Sequence, residues 1–499
     1  MLRLPIRGKS RLFVLAAVLV LVVGGCSQDG RKSGHKPASL KPHLELVHEI
    51  SLGNAAEDRI PDVTTDRWSF GVQPSMPLVA PDGKHVLVVK EEKMSWFDIS
   101  TGAEKWSRAT YGGISSYVVD DARLYMIEKY ANKRDKEHGY IICLDSDTGK
   151  ELWKYDVQKD LAPAVSKHKP QAVPPDICCY IKTALDAGKV YVIGSTSWSE
   201  GINKNKAEIL LCLDQNGRQI WKREYYGYPG LISMSNMKVV AGKLVMGNYS
   251  YGDEINGPAC VHAFDINTGE EVWKYDIEND PGLASSKSTN VAADVVGDKI
   301  IAVANFGKVY ILDVNGRKIK DFIVFKPEQY QNVTLYTSVY NSGLAPGQDE
   351  IIIAPGSTIV KGASNVKAQV EHPDANSIMV YDLNGNMKWK FRLGGKVSSL
   401  LVKGKFLLLG TMHNQYTMDY DYCGVYAFDL TQEASSTELN MAEKSVVDRY
   451  IGFYRTDGAV LYDCLGASQD GQTICATTWP TRVGVNKFGR HGLYVLKIQ

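Results

Sequence analysis

One short segment recurs along this chain every ~50 to 70 residues, and the recurrence restricts the fold more than any other feature. Its fullest copies span 96–106, 143–153, 212–221 and 263–273. Weaker copies span 311–320, 380–389 and 427–430, and the chain ends on 494–499, where Lys497 takes the place of an aspartate. In each copy an apolar stretch runs to an aspartate: Asp98, Asp145, Asp214, Asp265, Asp313, Asp382 and Asp429. In all but the last two copies an Asp-x-x-Thr-Gly or Asp-x-Asn-Gly turn follows, and its glycine (Gly102, Gly149, Gly217, Gly269 or Gly385) supplies the positive φ that a tight turn needs. A tryptophan then enters the next stretch: Trp106, Trp153, Trp221, Trp273 and Trp389, with Lys320 in its place in the fifth copy.

Two further strand-like runs joined by a tight turn precede each copy, as in 239–248 and 399–411. The unit is therefore four strands, and no segment reads convincingly as a helix. Four-stranded sheets repeated around an axis leave only short edges. Eight repeat ends predict eight blades. The last copy stops before its outer strand, and the alternating segment 44–52 supplies a strand without a blade. The expectation is an all-β, eight-bladed β-propeller of four-stranded antiparallel blades, closed into a ring by this N-terminal strand and filling 44–499 as one domain.

The Ala-x-Asp-x-x-Thr-Gly-x-x-x-Trp pattern resembles the quinoprotein-type, PQQ-like eight-bladed β-propeller. The resemblance implies that the tryptophans pack between neighbouring blades and hold no cofactor. One class of that superfamily contains PQQ- and Ca²⁺-dependent alcohol dehydrogenases. Another contains non-catalytic propellers such as BamB, a lipoprotein of outer-membrane barrel assembly. Several of the dehydrogenases hold a disulfide between adjacent cysteines over the quinone, and Cys178 and Cys179 are adjacent here. Two unpaired thiols explain that pair equally. The catalytic Trp-Asp segment and the calcium ligands of the enzymes are not recognisable, although Asp253, Glu254, Asp419 and Asp421 lie in long loops. The resemblance thus favours a scaffold with no catalytic residue, metal or cofactor, with PQQ and Ca²⁺ as the enzymatic alternative.

The N-terminus reads as an address. Arg3, Arg7, Lys9 and Arg11 precede an uninterrupted apolar run over 12–23, too short to cross a bilayer comfortably, followed by Gly24-Gly25-Cys26. This resembles a bacterial lipoprotein signal over 1–25 with Cys26 as the lipidated residue. Residues 26–43 then read as a flexible tether to the membrane. Ser27 after the cysteine favours the outer membrane, facing the periplasm, by resemblance to Gram-negative sorting.

The 499 residues carry 57 Lys and Arg against 56 Asp and Glu, so no basic bias points to nucleic acid. At 44% hydrophobic content the chain is neither disordered nor dependent on disulfides for a core. Cys143 and Cys212 occupy a small apolar slot of the repeat and read as buried thiols, whereas Cys464 and Cys475 are placed to face each other on adjacent strands. Long second-to-third-strand loops and inter-blade connections emerge on one face and carry many aromatic residues. Trp198, Tyr226, Tyr251, Tyr420 and Trp479 are the candidate binding face for protein partners in the envelope, or alternatively for a glycan. A monomeric propeller is expected.

Overall fold

A computed structural model describes residues 42–53, 77–90, 93–109, 114–120, 122–130, 138–168, 180–200, 203–226, 237–250, 257–286, 288–356, 358–361, 370–413, 420–432, 438–440, 449–483 and 486–499. Pro42–Gln499 forms one compact unit. Cys26 and the segment around it lie outside the described residues.

Eight sheets of four principal antiparallel strands follow one another along the chain. Sheet 1 is Leu78–Val79, His85–Lys90, Lys93–Asp98 and Glu104–Ala109. Sheets 2 to 7 begin on the inner strands Ile114–Asp120, Tyr180–Asp186, Lys238–Val240, Thr289–Val296, Val339–Pro346 and Val397–Lys403. Sheet 8 comprises Leu465–Ala467, Thr473–Thr478 and Gly492–Ile498, and its fourth strand is Leu44–Ser51 from the other end of the chain. That strand runs antiparallel to the C-terminal one, from Leu44 opposite Ile498 to Ser51 opposite Gly492. The inner strand of each sheet lies against that of the next. Leu465–Ala467 of sheet 8 lies against Leu78–Val79 of sheet 1, so the order of neighbours returns to its start.

Strand composition follows position. Middle strands such as Lys299–Ala304 and Ser377–Asp382 are almost wholly buried, because a neighbouring sheet covers each of their faces. Outer strands such as Glu104–Ala109 and Glu271–Ile277 alternate exposed and half-buried residues. The core is therefore a series of layers between sheets. Tyr191, Ile193, Leu210, Leu244, Met246 and Phe264 fill one between sheets 3 and 4. Val86, Val88, Phe97, Leu493 and Val495, with Ile50 against them, fill the layer that joins sheet 8 to sheet 1.

The repeated turn staples these layers. Asp98 Oδ1 accepts from the Ser100 amide and hydroxyl at 2.9 and 2.6 Å and from the Thr101 amide at 2.9 Å. Asp214, Asp313 and Asp382 hold their Asn-Gly turns in the same manner. Each tryptophan then reaches the turn of the following sheet. Nε1 of Trp106, Trp153, Trp221 and Trp273 donates to Ser146 O, Gln215 O, Ile266 O and Val314 O at 2.8 to 3.0 Å. The indole lies flat on that turn's glycine. A Cβ at Gly149, Gly217, Gly269 or Gly316 would fall 2.5 to 2.7 Å from the ring.

The exceptions use other residues for the same contact. Lys320 Nζ donates to Asn384 O, while Phe322 covers Gly385. At the join of sheet 8 to sheet 1, His48 Nε2 donates to Ser100 O at 2.7 Å and its ring lies 3.7 Å from where a Gly102 Cβ would be. Trp389 is fully buried, but sheet 7 carries Leu430 and Thr431 after Asp429 in place of the turn glycine, and its indole N–H has no partner. It packs instead against Phe428 and the Arg449 guanidinium, each 5.6 Å away.

One expectation fails. Gln158–His168 is an α-helix in the connection from sheet 2 to sheet 3. Asp156 Oδ1 accepts from the Gln158 amide at 3.0 Å at its start, and Val157, Leu161 and Ala164 bury one face. Pro163 within the helix obscures it in the sequence.

Two outcomes test this account. Gly217→Ala should lower stability in urea by about 2–4 kcal/mol, the sum of positive φ and collision with Trp153. Gly242→Ala, at φ 73° with nothing within 4 Å, should lose only ~1–2 kcal/mol. Equal losses would refute the glycine–indole staple. The Ser100 and Thr101 donors hold Asp98 well below the usual carboxylate range, the Thr148 hydroxyl and amide do so for Asp145, and the Asn267 amide does so for Asp265. Their stabilising contribution is complete above the ordinary aspartate pKa of ~3.9 and is lost as pH falls toward the lowered folded values. The thermal midpoint should fall between pH 4 and pH 2, and less steeply in Asp145→Asn.

Candidate functional site: the face of long connections

In an antiparallel four-stranded unit, the first-to-second and third-to-fourth turns share one end. The second-to-third turns and the links between sheets share the other. The first end carries the Asp-Gly turns and their staples. The second end carries nearly all the additional structure, and this is where a rigid propeller has material to spare for recognition.

On that end the helix Gln158–His168 is pinned to sheet 3. Asp160 accepts from Tyr155 Oη at 2.5 Å and pairs with Lys222 at 2.9 Å, and Lys167 pairs with Glu224. Strands Lys189–Glu200 and Asn203–Leu213 continue beyond the sheet as a long hairpin, paired out to Glu200 opposite Asn203. This segment is one of the second-to-third-strand connections expected from the sequence to be loops; backbone pairing extends through it. Tyr249–Ser250 leaves sheet 4 and pairs with Thr289 and Asn290 of sheet 5. A three-stranded sheet is formed by Glu328–Tyr330, Val333–Tyr336 and Ile359–Lys361, and a two-stranded one by Thr481–Val483 and Asn486–Phe488. On the opposite end, Glu438–Asn440, within the third-to-fourth-strand connection of sheet 7, adds a parallel fifth strand to the outer edge of sheet 6.

Two of the candidate aromatic residues, Tyr226 and Trp479, differ sharply in exposure. Tyr226 ends the outer strand of sheet 3 and is exposed. Trp198 stands in the projecting hairpin opposite Asn205, and Tyr420 begins a short 3₁₀ turn, Tyr420–Tyr422. Tyr251 lies outside the described residues. Trp479 is no surface residue at all. It is 5% exposed, its backbone pairs with Ala459, and its ring lies 4.4 Å from that of His491 within the core between sheets 7 and 8. A large apolar ring at a strand end is drawn into that layer because burial there removes it from water.

The histidines of these loops are also interior. His372 accepts the Asp374 amide at Nδ1 and donates from Nε2 to Lys326 O at 2.9 Å, which fixes the orientation of the ring. Burial, helped by the nearby Lys396 charge, pushes His413 down to about 4.

Cys178 and Cys179 lie outside the described residues. Cys143, Cys212, Cys260, Cys464 and Cys475 are buried free thiols, and Cys423 is buried as well. Cys464 and Cys475, expected to face each other, do not pair. Cys475 is opposite Gly466, two residues beyond Cys464 along the ladder. Burial pushes the Cys143 and Cys212 thiols up to about 11 and the Cys464 thiol up to about 12. Burial and then the Asp276 carboxylate, 3.1 Å from Sγ, raise Cys260 to about 12.

Among the described residues no three His, Cys, Asp or Glu side chains come together as metal donors. Asp421 is engaged by Arg455 at 2.6 Å, while Asp253, Glu254 and Asp419 lie outside the described residues. Among the described residues no helix is long and apolar enough to cross a membrane.

The model of the family "outer membrane protein assembly factor BamB" matches residues 57–155 and 138–430. The chain belongs to this PQQ-like family. The quinohemoprotein alcohol dehydrogenase ADH-IIG of Pseudomonas putida is 30% identical over 210 residues, covering 41% of this chain and 25% of that one. The quinoprotein ethanol dehydrogenase of Pseudomonas aeruginosa is 25% identical over 195 residues, covering 37% and 26%. The matched part is thus about a quarter of the length of these relatives. Among solved structures, the quinohemoprotein alcohol dehydrogenase of Comamonas testosteroni superposes with a TM-score of 0.52 at 12% identity, over 91% of this chain and 76% of that one. BamB of Moraxella catarrhalis gives 0.49 at 14% identity, over 91% and 99%. The fold is that of a PQQ-like β-propeller.

The thiol environments lead to a direct check. In native protein at pH 8, iodoacetamide should leave these six cysteines unlabelled over an hour, and unfolding in guanidinium should expose all six to mass-spectrometric labelling. Rapid native labelling of Cys464 or Cys475 would contradict their burial.

Proposed function

We propose that this protein is a non-catalytic, lipid-anchored propeller of the bacterial envelope that binds other proteins during outer-membrane protein assembly. The match to the BamB family over most of the propeller carries this reading. The proposed anchor is Cys26, in the outer membrane and facing the periplasm, with residues 26–43 as the tether. The face of long connections is the proposed docking surface, and it includes the exposed Tyr226, the projecting hairpin bearing Trp198 and the Tyr420–Tyr422 turn. The partners are envelope proteins, nucleic acid is not among them, and the propeller acts as a monomer.

A second reading is a PQQ- and Ca²⁺-dependent alcohol-type dehydrogenase. It is favoured by the 30% identity to ADH-IIG and by the adjacent Cys178 and Cys179.

Cross-linking of the full-length, tagged protein in its own envelope, followed by mass spectrometry, separates the two. Recovery of outer-membrane barrel-assembly components, reduced at least tenfold by charge substitution at Tyr226, is the expected result. Their absence would sink the scaffold reading. Saturable PQQ binding with dye-linked alcohol oxidation by the purified protein would establish the second.

A further inference from the structure

Three of the repeated turns contain an Asn-Gly pair: Asn216-Gly217, Asn315-Gly316 and Asn384-Gly385. A further pair begins at Asn256, which lies outside the described residues. In Asn-Gly the side-chain amide is open to attack by the following backbone nitrogen, because glycine carries no side chain to obstruct the approach. The three turns are almost identical. In each, the glycine amide donates to the aspartate carbonyl at 3.0 Å, and the asparagine amide donates to the aspartate Oδ1 at 2.8 Å. The glycine φ lies between 76° and 78°, and all three asparagines are exposed.

The groups that staple these turns differ. Trp153 and Trp273 donate to Gln215 O and Val314 O, the carbonyls that precede the asparagines, at 2.9 and 3.0 Å. The Arg123 guanidinium joins Trp153 on Gln215 O, again one peptide before the Asn-Gly peptide. In the third turn the Lys320 ammonium donates to Asn384 O, the carbonyl of the peptide that joins Asn384 to Gly385. The nitrogen of that same peptide, Gly385 N, is the one placed by the sequence to attack the Asn384 side chain. An amide nitrogen attacks as its deprotonated form. A positive charge hydrogen-bonded to the carbonyl oxygen of the same peptide favours loss of that proton. Lys320 is exposed, so solvent screens its charge and the gain in rate is modest.

We propose that Asn384 is a self-modifying position, the first of these three turns to deamidate, and that Lys320 promotes the reaction. Gly385 N gives up its proton to hydroxide and forms a bond to Asn384 Cγ. The Cγ–N bond of the side chain breaks, ammonia leaves with a proton taken back from water, and a succinimide ring remains. Water then opens the ring at one of its two carbonyls. One opening gives aspartate, and the other gives isoaspartate, which lengthens the backbone by a methylene. Water is the sole co-reactant, and no electrons are transferred. The turn joins the third and fourth strands of sheet 6, and Phe322 of sheet 5 covers its glycine. A lengthened turn therefore loosens the staple between these two sheets. The inference stands apart from the protein-assembly reading.

The test is peptide mapping by mass spectrometry on the full-length protein held natively at pH 8 and 37 °C, with the succinimide, aspartate and isoaspartate forms measured at each turn. Asn384 should convert about three- to tenfold faster than Asn216 and Asn315. This comparison needs no variant. Lys320→Arg keeps the charge and should keep the excess. Lys320→Met and Lys320→Gln should bring Asn384 down to the rate of the other two. A turn that is merely looser predicts the reverse, because removing the Lys320 contact would open it further and speed the reaction. In guanidinium the three sites should react at similar rates, since the contact is lost with the fold. The proposal is overturned if Asn384 converts no faster than the other two in native protein, if folded Lys320→Met or Lys320→Gln leaves its rate unchanged or raised, or if its excess persists in guanidinium.

Discussion

The contact between an indole and the glycine turn of the next sheet is the interaction on which this architecture depends. A four-stranded sheet with two apolar faces must bury both against neighbouring sheets. Stacking buries those faces, but a hydrophobic layer is non-directional and does not by itself fix the angle between sheets. The tryptophan supplies direction. Its ring needs a turn without a Cβ, and its N–H needs the carbonyl beside the turn aspartate, so each staple sets both the distance and the rotation of the neighbouring sheet. The aspartate holds the turn in the required shape by accepting its amides.

The departures show which part of the staple matters. Lys320 and Phe322 divide the work of one tryptophan between a donor and a ring. His48 does both at the seam, where the two chain ends meet. Where sheet 7 lacks the glycine turn, Trp389 stays buried but loses its hydrogen bond, and a cation over its face accompanies the change. Geometry at the turn is thus met by several side chains. What is retained is a flat group over the turn, and usually a donor beside it.

The staples also divide the molecule by role. One end is committed to holding sheets together, which leaves the other free to carry the helix, the long hairpin and the small extra sheets. Their docking is polar and specific, as in the Asp160 contacts with Tyr155 and Lys222. A partner would meet a shaped and rigid surface there, which lowers the ordering cost of association.

The sequence by itself determined the number of blades, the positions of the turns and the source of the closing strand. All of these rest on local chemistry: an aspartate, a glycine and an alternating apolar run act within ten residues of one another. It did not reveal the helix Gln158–His168, although Val157, Leu161 and Ala164 carry a helical spacing, because Pro163 interrupts the signal. It placed Trp479 on a surface and Cys464 opposite Cys475, and both readings failed for one reason. Whether a ring faces water, or two thiols share a register, depends on how the last two sheets meet, and that is decided by residues far away in the chain. The contact of the Lys320 ammonium with the Asn384 carbonyl was equally illegible, since only the packed sheets bring the two together.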